Sequence, residues 1–138
     1  MISWSQRYSL NHPSIDAQHR ELFNLANRVE VFDSKTASKE DISKLFKEFF
    51  DYMREHFRDE EVYMQSIGYP AFQAHCMLHE GIINAMTSIL KETKGIELLQ
   101  TKMREVSHSW LVEHILDHDM AIKQWKAKNT IDLDSLEG

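Results

Sequence analysis

A long amphipathic segment of the chain lies at residues 42–67 and reads ISKLFKEFFDYMREHFRDEEVYMQSI. Its apolar positions recur every three or four residues, which is the spacing of one face of an α-helix. His56 and Glu60 stand four residues apart on that face, one turn above the other. A carboxylate among apolar side chains is costly to bury unless a cation or strong hydrogen bonds compensate it. Glu60 therefore indicates that this helix face does more than pack.

Three further segments show the same periodicity, and each carries histidine in its apolar stripe. The stripes are Ile15, His19, Leu22, Phe23, Ala26 and Val29; then Phe72, His75, His79, Ile82, Met86 and Ile89; and finally Leu99, Met103, Val106, Trp110, His114, Ala121 and Trp125. The chain has only 4 Gly and 2 Pro, which suits a few long helices, and no strand pattern competes. Four amphipathic segments with short connections predict an all-α fold, an up-down-up-down four-helix bundle. We expect this domain to span residues 1–128, with residues 129–138 forming a polar tail or the start of a linker.

Composition limits the classes of function. A chain of 138 residues with a net charge of −6 predicts one domain without a nucleic-acid surface, because phosphate binding needs clustered Lys and Arg. The single cysteine, Cys76, cannot form an internal disulfide and fits a reducing compartment. The sequence has neither a signal peptide nor an apolar run of about 18 residues. We therefore expect a soluble, cytoplasmic protein that does not insert into membranes.

The histidines and carboxylates in these stripes predict a metal site. A lone histidine on an apolar stripe is more often a satisfied core residue than a ligand. Here, however, all four stripes carry histidine in the same register, which is hard to explain by packing alone. The ligand types are imidazole and carboxylate without thiolate, a set that favours an iron or manganese pair over structural zinc, calcium or magnesium. Seven inward-facing ligands exceed what one ion needs and suit two ions. The candidates are His19, His56, Glu60, His75, His79, His114 and Asp119.

The last ligand of the fourth helix has two candidates. His118 lies four residues after His114, so ideal helix geometry pairs these two side chains. Asp119 lies five residues after His114, about 140° around an ideal helix. Charge favours Asp119, because a second carboxylate helps to neutralise two cations. These two arguments oppose each other and leave the choice open.

Taken together, the motifs resemble the hemerythrin family, and in detail its bacterial branch, the bacteriohemerythrins. The motifs are Ile15-Asp16-x-Gln18-His19-x-x-Leu22-Phe23, His56-Phe57-x-x-Glu60-Glu61-x-x-Met64 followed by Gly68-Tyr69-Pro70, His75-x-x-x-His79, and His114-x-x-x-x-Asp119. The resemblance runs from Trp4 to about Trp125. It favours Asp119 over His118 as the ligand.

The resemblance implies a cofactor of two non-haem iron ions with an uneven set of ligands. One iron takes His75, His79 and His114, and the other takes His19 and His56. Glu60 and Asp119 bridge both ions together with an oxo or hydroxo group. The iron with two histidines keeps an open position, where O2 binds reversibly. We expect Leu22, Trp110 and Leu111 to line the O2 pocket, because each lies about one turn from a ligand.

The resemblance allows several roles. It implies either a protein that stores or delivers O2, or an oxygen- or redox-sensing input domain that acts on a C-terminal signalling module or partner. The alternative is a di-iron redox enzyme that handles peroxide or nitric oxide, and nitric oxide is a second candidate ligand. We expect a binding module and no enzyme. Five neutral imidazoles make a less electron-rich centre than four carboxylates, and no separate general acid or base stands out.

Overall fold

The computed structural model describes residues 4–33 and 35–137, with side chains at all of these positions except 110–112, 116 and 130–137. Helix α1 spans Pro13–Val31, α2 spans Lys39–Ser66, α3 spans Phe72–Glu92 and α4 spans Ile96–Val106. Two π-helical segments, Ser107–Val112 and His114–Asp119, connect α4 to α5, which spans Met120–Glu137. A short 3-10 helix, Gln6–Tyr8, precedes α1.

These elements form the predicted four-helix bundle, in which α4, the π-helical segments and α5 together make the fourth helix. Helix α1 packs against α2 and α4, and α3 packs against the same two helices, so each helix contacts its two neighbours around the bundle. The short connections make consecutive helices antiparallel. No strand occurs among the described residues. The fold class predicted from the sequence is confirmed.

Local sequence signals set where the helices begin and end. The imidazole Nδ1 of His12 accepts a hydrogen bond from the backbone N–H of Ile15 at 3.2 Å and caps α1. The hydroxyl of Ser38 accepts one from the backbone N–H of Asp41 at 3.0 Å and caps α2. Helix α2 ends just before Gly68, whose φ of +69° is a left-handed conformation that glycine adopts without strain.

One half of the bundle interior is an ordinary apolar core. Its largest fully buried apolar side chains include Phe23, Phe46, Phe49, Met86 and Met103. At its edge the buried side-chain amide of Gln100 on α4 donates to the carbonyls of Val29 and Phe32, each at 2.9 Å. This amide satisfies carbonyls that the end of α1 leaves free and ties two helices together.

The backbone of the fourth helix is helical to Glu137, so residues 129–137 continue α5. The boundary between a domain of residues 1–128 and a polar tail or linker of residues 129–138 stays a prediction. Across the described part of the chain, none of the helices has both the length and the apolar character needed to cross a membrane.

Candidate metal centre

The seven predicted ligands converge inside the other half of the bundle. All are buried, with exposed fractions between 0% and 6%. They come from all four helices: His19 from α1, His56 and Glu60 from α2, His75 and His79 from α3, and His114 and Asp119 from the fourth helix. The helical register read from the sequence therefore points these side chains to a common interior.

The seven side chains form two overlapping groups. Within each group the potential ligand atoms all lie within 4.8 Å of one another. The first group consists of Glu60, His75, His79, His114 and Asp119, and the second consists of His19, His56, Glu60 and Asp119. Both carboxylates belong to both groups, whereas each histidine belongs to only one.

Glu60 presents a different oxygen to each group. Its Oε1 lies 2.9 Å from Nε2 of His75 and 3.0 Å from Nε2 of His79. Its Oε2 lies 3.4 Å from Nε2 of His19 and 3.4 Å from Nε2 of His56. A carboxylate in this orientation can bridge two cations, one in each group.

Asp119 divides its oxygens in the same way. Its Oδ1 lies 3.0 Å from Nε2 of His75 and 3.1 Å from Nε2 of His114, and its Oδ2 lies 3.1 Å from Nε2 of His19. The π-helical backbone explains this position, because its hydrogen bonds run from residue i to i+5 and bring residues five apart onto one face. The argument for His118 assumed an ideal α-helix. His118 itself is exposed and lies outside both ligand groups.

The unsatisfied polar atoms of the site match what a metal would complete. Five of its buried atoms have no partner in hydrogen-bonding geometry among the described residues. They are Nδ1 and Nε2 of His19, Oε2 of Glu60, and both carboxylate oxygens of Asp119. In addition, Nε2 of His114 lies 3.1 Å from Nε2 of His75 and 3.1 Å from Nε2 of His79. Cations would satisfy the carboxylate oxygens and the Nε2 lone pairs together, whereas Nδ1 of His19 would carry the proton of its ring. The residues present therefore fit metal ions.

Comparison with known proteins agrees with this reading. The family described as "Hemerythrin HHE cation binding domain" matches residues 12–125. The chain belongs to the hemerythrin family. It is 31% identical to a bacteriohemerythrin of Clostridium acetobutylicum, over 86% of this chain and 96% of that protein. It is 26% identical to a bacteriohemerythrin of Campylobacter jejuni, over 85% and 89% of the two chains. It is 28% identical to hemerythrin subunit alpha of Lingula anatina, over 88% and 92%. The resemblance seen in the sequence motifs is confirmed.

In this hemerythrin-family centre, outer hydrogen bonds fix the proton on two of the histidines. The amide Nε2 of Gln18 donates to Asp59 at 2.7 Å, since a carboxylate can only accept, and this leaves the amide oxygen facing His56. Nδ1 of His56 therefore donates to that oxygen at 2.8 Å. Likewise, Nδ1 of His79 donates to the carboxylate of Glu61 at 3.2 Å. With Nδ1 protonated, both rings direct the Nε2 lone pair into the site.

The charges of the site draw protons when no cation holds the ligands. Burial lowers the pKa of His19 and of His114, but the close carboxylate oxygens and negative charges of Asp119 and Glu60 outweigh burial. They raise the pKa to about 9 for His19 and about 10 for His114. Burial raises the pKa of both carboxyls, but the surrounding histidines hold each pKa below its ordinary value. For His56 burial prevails, and its pKa is lowered.

A small apolar cavity adjoins the site. Its volume is about 10 Å³, and its lining residues are Leu22, Met53, His56, Phe57, Ile82, His114, Ile115 and Asp119. That volume is close to the space of a single water molecule. Leu22 lies where the sequence predicted it, whereas the side chains of the predicted pocket residues Trp110 and Leu111 lie outside the described residues.

Four lining residues were not predicted from the sequence. Met53 lies one turn before His56, Ile82 lies one turn after His79, and Phe57 and Ile115 directly follow ligands. Proximity to a ligand in the sequence could have suggested all four. It could not have separated them from the other apolar neighbours, because the cavity depends on how the helices pack.

Proposed function

We propose that this chain is a non-haem di-iron protein that binds O2 reversibly at an open position on one iron. The structural observation that carries this proposal is the uneven division of ligands. Two carboxylates, Glu60 and Asp119, serve both groups, while three histidines serve one group and two serve the other. One ion would receive five protein ligands and its neighbour four. Imidazole and carboxylate ligands on facing helices suit iron.

The difference in ligand number is what would create a place for O2. An oxo or hydroxo bridge would complete six ligands on the ion held by His75, His79 and His114. The same bridge would leave one position free on the ion held by His19 and His56. The two irons, when bound, supply the electrons that O2 accepts reversibly.

The protein's own contribution is to orient the ligands and to exclude water. Gln18 and Glu61 hold the rings of His56 and His79 so that their Nε2 atoms face inward. Leu22, Phe57 and Ile82 line the cavity with apolar groups, so water that could donate protons to bound oxygen finds few partners there. The relatives named hemerythrin and bacteriohemerythrin support the same function.

The proposed role is binding rather than turnover. Every charged or imidazole group that faces the cavity, namely His56, His114 and Asp119, is already used as a ligand in this proposal. Such a module stores or delivers O2, or reports oxygen or redox state to a partner. Comparing bundle conformation with and without O2 separates these roles, because a sensor needs a state that its partner can distinguish.

The test is an O2 titration of iron-loaded protein that has been reduced anaerobically, with metal content and the visible spectrum recorded on one sample. Two irons per chain, with a band that appears with O2 and disappears under vacuum, would support the proposal. Two irons that oxidise irreversibly on first exposure would favour a redox sensor or an enzyme acting on peroxide or nitric oxide. One zinc, or no metal, would overturn the proposal. The same titration of the His118→Ala variant is the control. His118 lies outside both ligand groups, so this variant should bind metal and O2 as the parent protein does.

A further inference from the structure

In each half of the centre one histidine donates a hydrogen bond to an outer side chain, and these two side chains differ in charge. In the three-histidine group, Nδ1 of His79 donates to the carboxylate of Glu61 at 3.2 Å. In the two-histidine group, Nδ1 of His56 donates to the neutral amide oxygen of Gln18 at 2.8 Å. Behind that amide, the carboxylate of Asp59 accepts a hydrogen bond from the amide nitrogen at 2.7 Å.

Stacking on Phe57 and burial of the ring support the contact between His79 and Glu61. The ring of Phe57 stacks on the ring of His79, with centroids 3.8 Å apart and planes within 6° of parallel. The side chain of His79 is only 3% exposed, and that of Glu61 is 33% exposed. The stacking fixes the plane of the ring, and the hydrogen bond at 3.2 Å directs Nδ1–H within that plane at the carboxylate of Glu61.

A carboxylate behind an imidazole affects a metal differently from an amide. It places a full negative charge next to the ring and makes Nε2 the more basic ligand. Both effects favour the ion of higher charge at that position. An amide oxygen holds the ring equally well but adds only a dipole.

We propose that Glu61 is a positioning residue that, through His79, makes the three-histidine iron the more easily oxidised of the two. This inference rests on the proposed function, because it requires a redox-active metal pair. In the half-oxidised protein the remaining reducing electron then stays on the side of His19 and His56, which is the side with the free position for O2.

The test compares one-electron potentials of iron-loaded, full-length variants by anaerobic potentiometric titration. Glu61→Gln keeps a hydrogen-bond acceptor but removes the charge, and it should raise the lower of the two potentials. Losing the charge weakens binding of the oxidised ion more than binding of the reduced ion. We expect a rise of about 59 mV, which corresponds to a tenfold difference between these two losses for a one-electron step. Glu80→Gln is the matched control, because Glu80 lines the same surface groove as Glu61 and carries the same charge.

A second variant makes the reverse change on the other half. Gln18→Glu combined with Asp59→Asn moves the carboxylate next to His56, keeps a donor behind it and leaves the net charge unchanged. It should lower the upper potential by a similar amount, so both variants narrow the gap between the two steps. Unchanged potentials in both, or shifts no larger than in Glu80→Gln, would overturn the inference.

Zinc-loaded protein provides a readout that does not depend on iron or O2. The Nδ1–H proton of His79 should move upfield in the Glu61→Gln variant, since a neutral acceptor forms a weaker hydrogen bond. An unchanged resonance would overturn the contact itself. A protein that holds an iron pair but fails to bind O2 reversibly would overturn the proposed function and leave this comparison of potentials intact.

Discussion

Replacing Asp119 by Asn and, separately, His118 by Ala tests whether the π-helical turn selects the ligand of the fourth helix. Asp119 is fully buried, and its two oxygens face both ligand groups. A charge pair about 4 Å apart is worth about 4 kcal/mol at an effective dielectric constant of about 20. Because about 1.4 kcal/mol is one factor of ten, Asp119→Asn should weaken metal binding by about 10³-fold.

The expected effect of His118→Ala is far smaller. His118 is exposed, and although its ring lies 5.5 Å from the ring of His114, it supplies no atom to either ligand group. A surface substitution of this kind changes a free energy by about 0.5 kcal/mol or less. Its metal affinity should therefore stay within about twofold to threefold of the parent protein.

Metal retained per chain during titration with a chelator is the appropriate assay, with circular dichroism to verify that both variants fold. Two metals retained by Asp119→Asn and lost by His118→Ala would refute the reasoning. That result would mean that α-helical spacing persists at residues 114–119 in the metal-bound protein.

Three further predictions concern the pocket, the core and pH. Leu22→Ala should cost about 3–5 kcal/mol of unfolding free energy and open the cavity of about 10 Å³ to water. The O2 complex should then decay faster at unchanged iron content, and loss of iron would contradict the pocket assignment. Gln100→Ala should lower the unfolding free energy in urea by about 1–3 kcal/mol, because it leaves buried carbonyls unpaired, while a change of iron content would show that Gln100 affects the metal site. In metal-free protein, the raised pKa values of about 9 for His19 and about 10 for His114 stabilise the fold fully below the ordinary value of 6.5, and this stabilisation is lost as pH rises through 9 and 10. The lowered pKa values of the two buried carboxyls stabilise the fold above their ordinary pKa values of 4.5 and 3.8. The urea concentration at the unfolding midpoint should therefore be highest near pH 5–6.5. A stability that rises from pH 7 to 10 would contradict this electrostatic account.

The sequence by itself determined the helices and the direction of their apolar faces. The spacing of Ile42, Leu45, Phe49 and Met53 makes one face apolar, and the placement of His56 on that face sends its ring inward. Ser38 is also recognisable in the sequence as the start of a helix, because its hydroxyl caps a backbone N–H only three residues further along the chain. These features are local, so periodicity and side-chain chemistry are enough to predict them.

Only the tertiary structure decided how the ligands divide into two groups and how each is held. The π-helical turn at His114–Asp119 contradicts the ideal-helix spacing that favoured His118, and helix spacing alone gave no reason to expect it. The pairing of Glu61 with His79 joins α2 to α3, and that of Gln18 with His56 joins α1 to α2. Such contacts depend on the distance and rotation between packed helices. A difference of about one ångström in the distance between two helices decides whether such a hydrogen bond forms. The periodicity of a single helix carries no information about that distance.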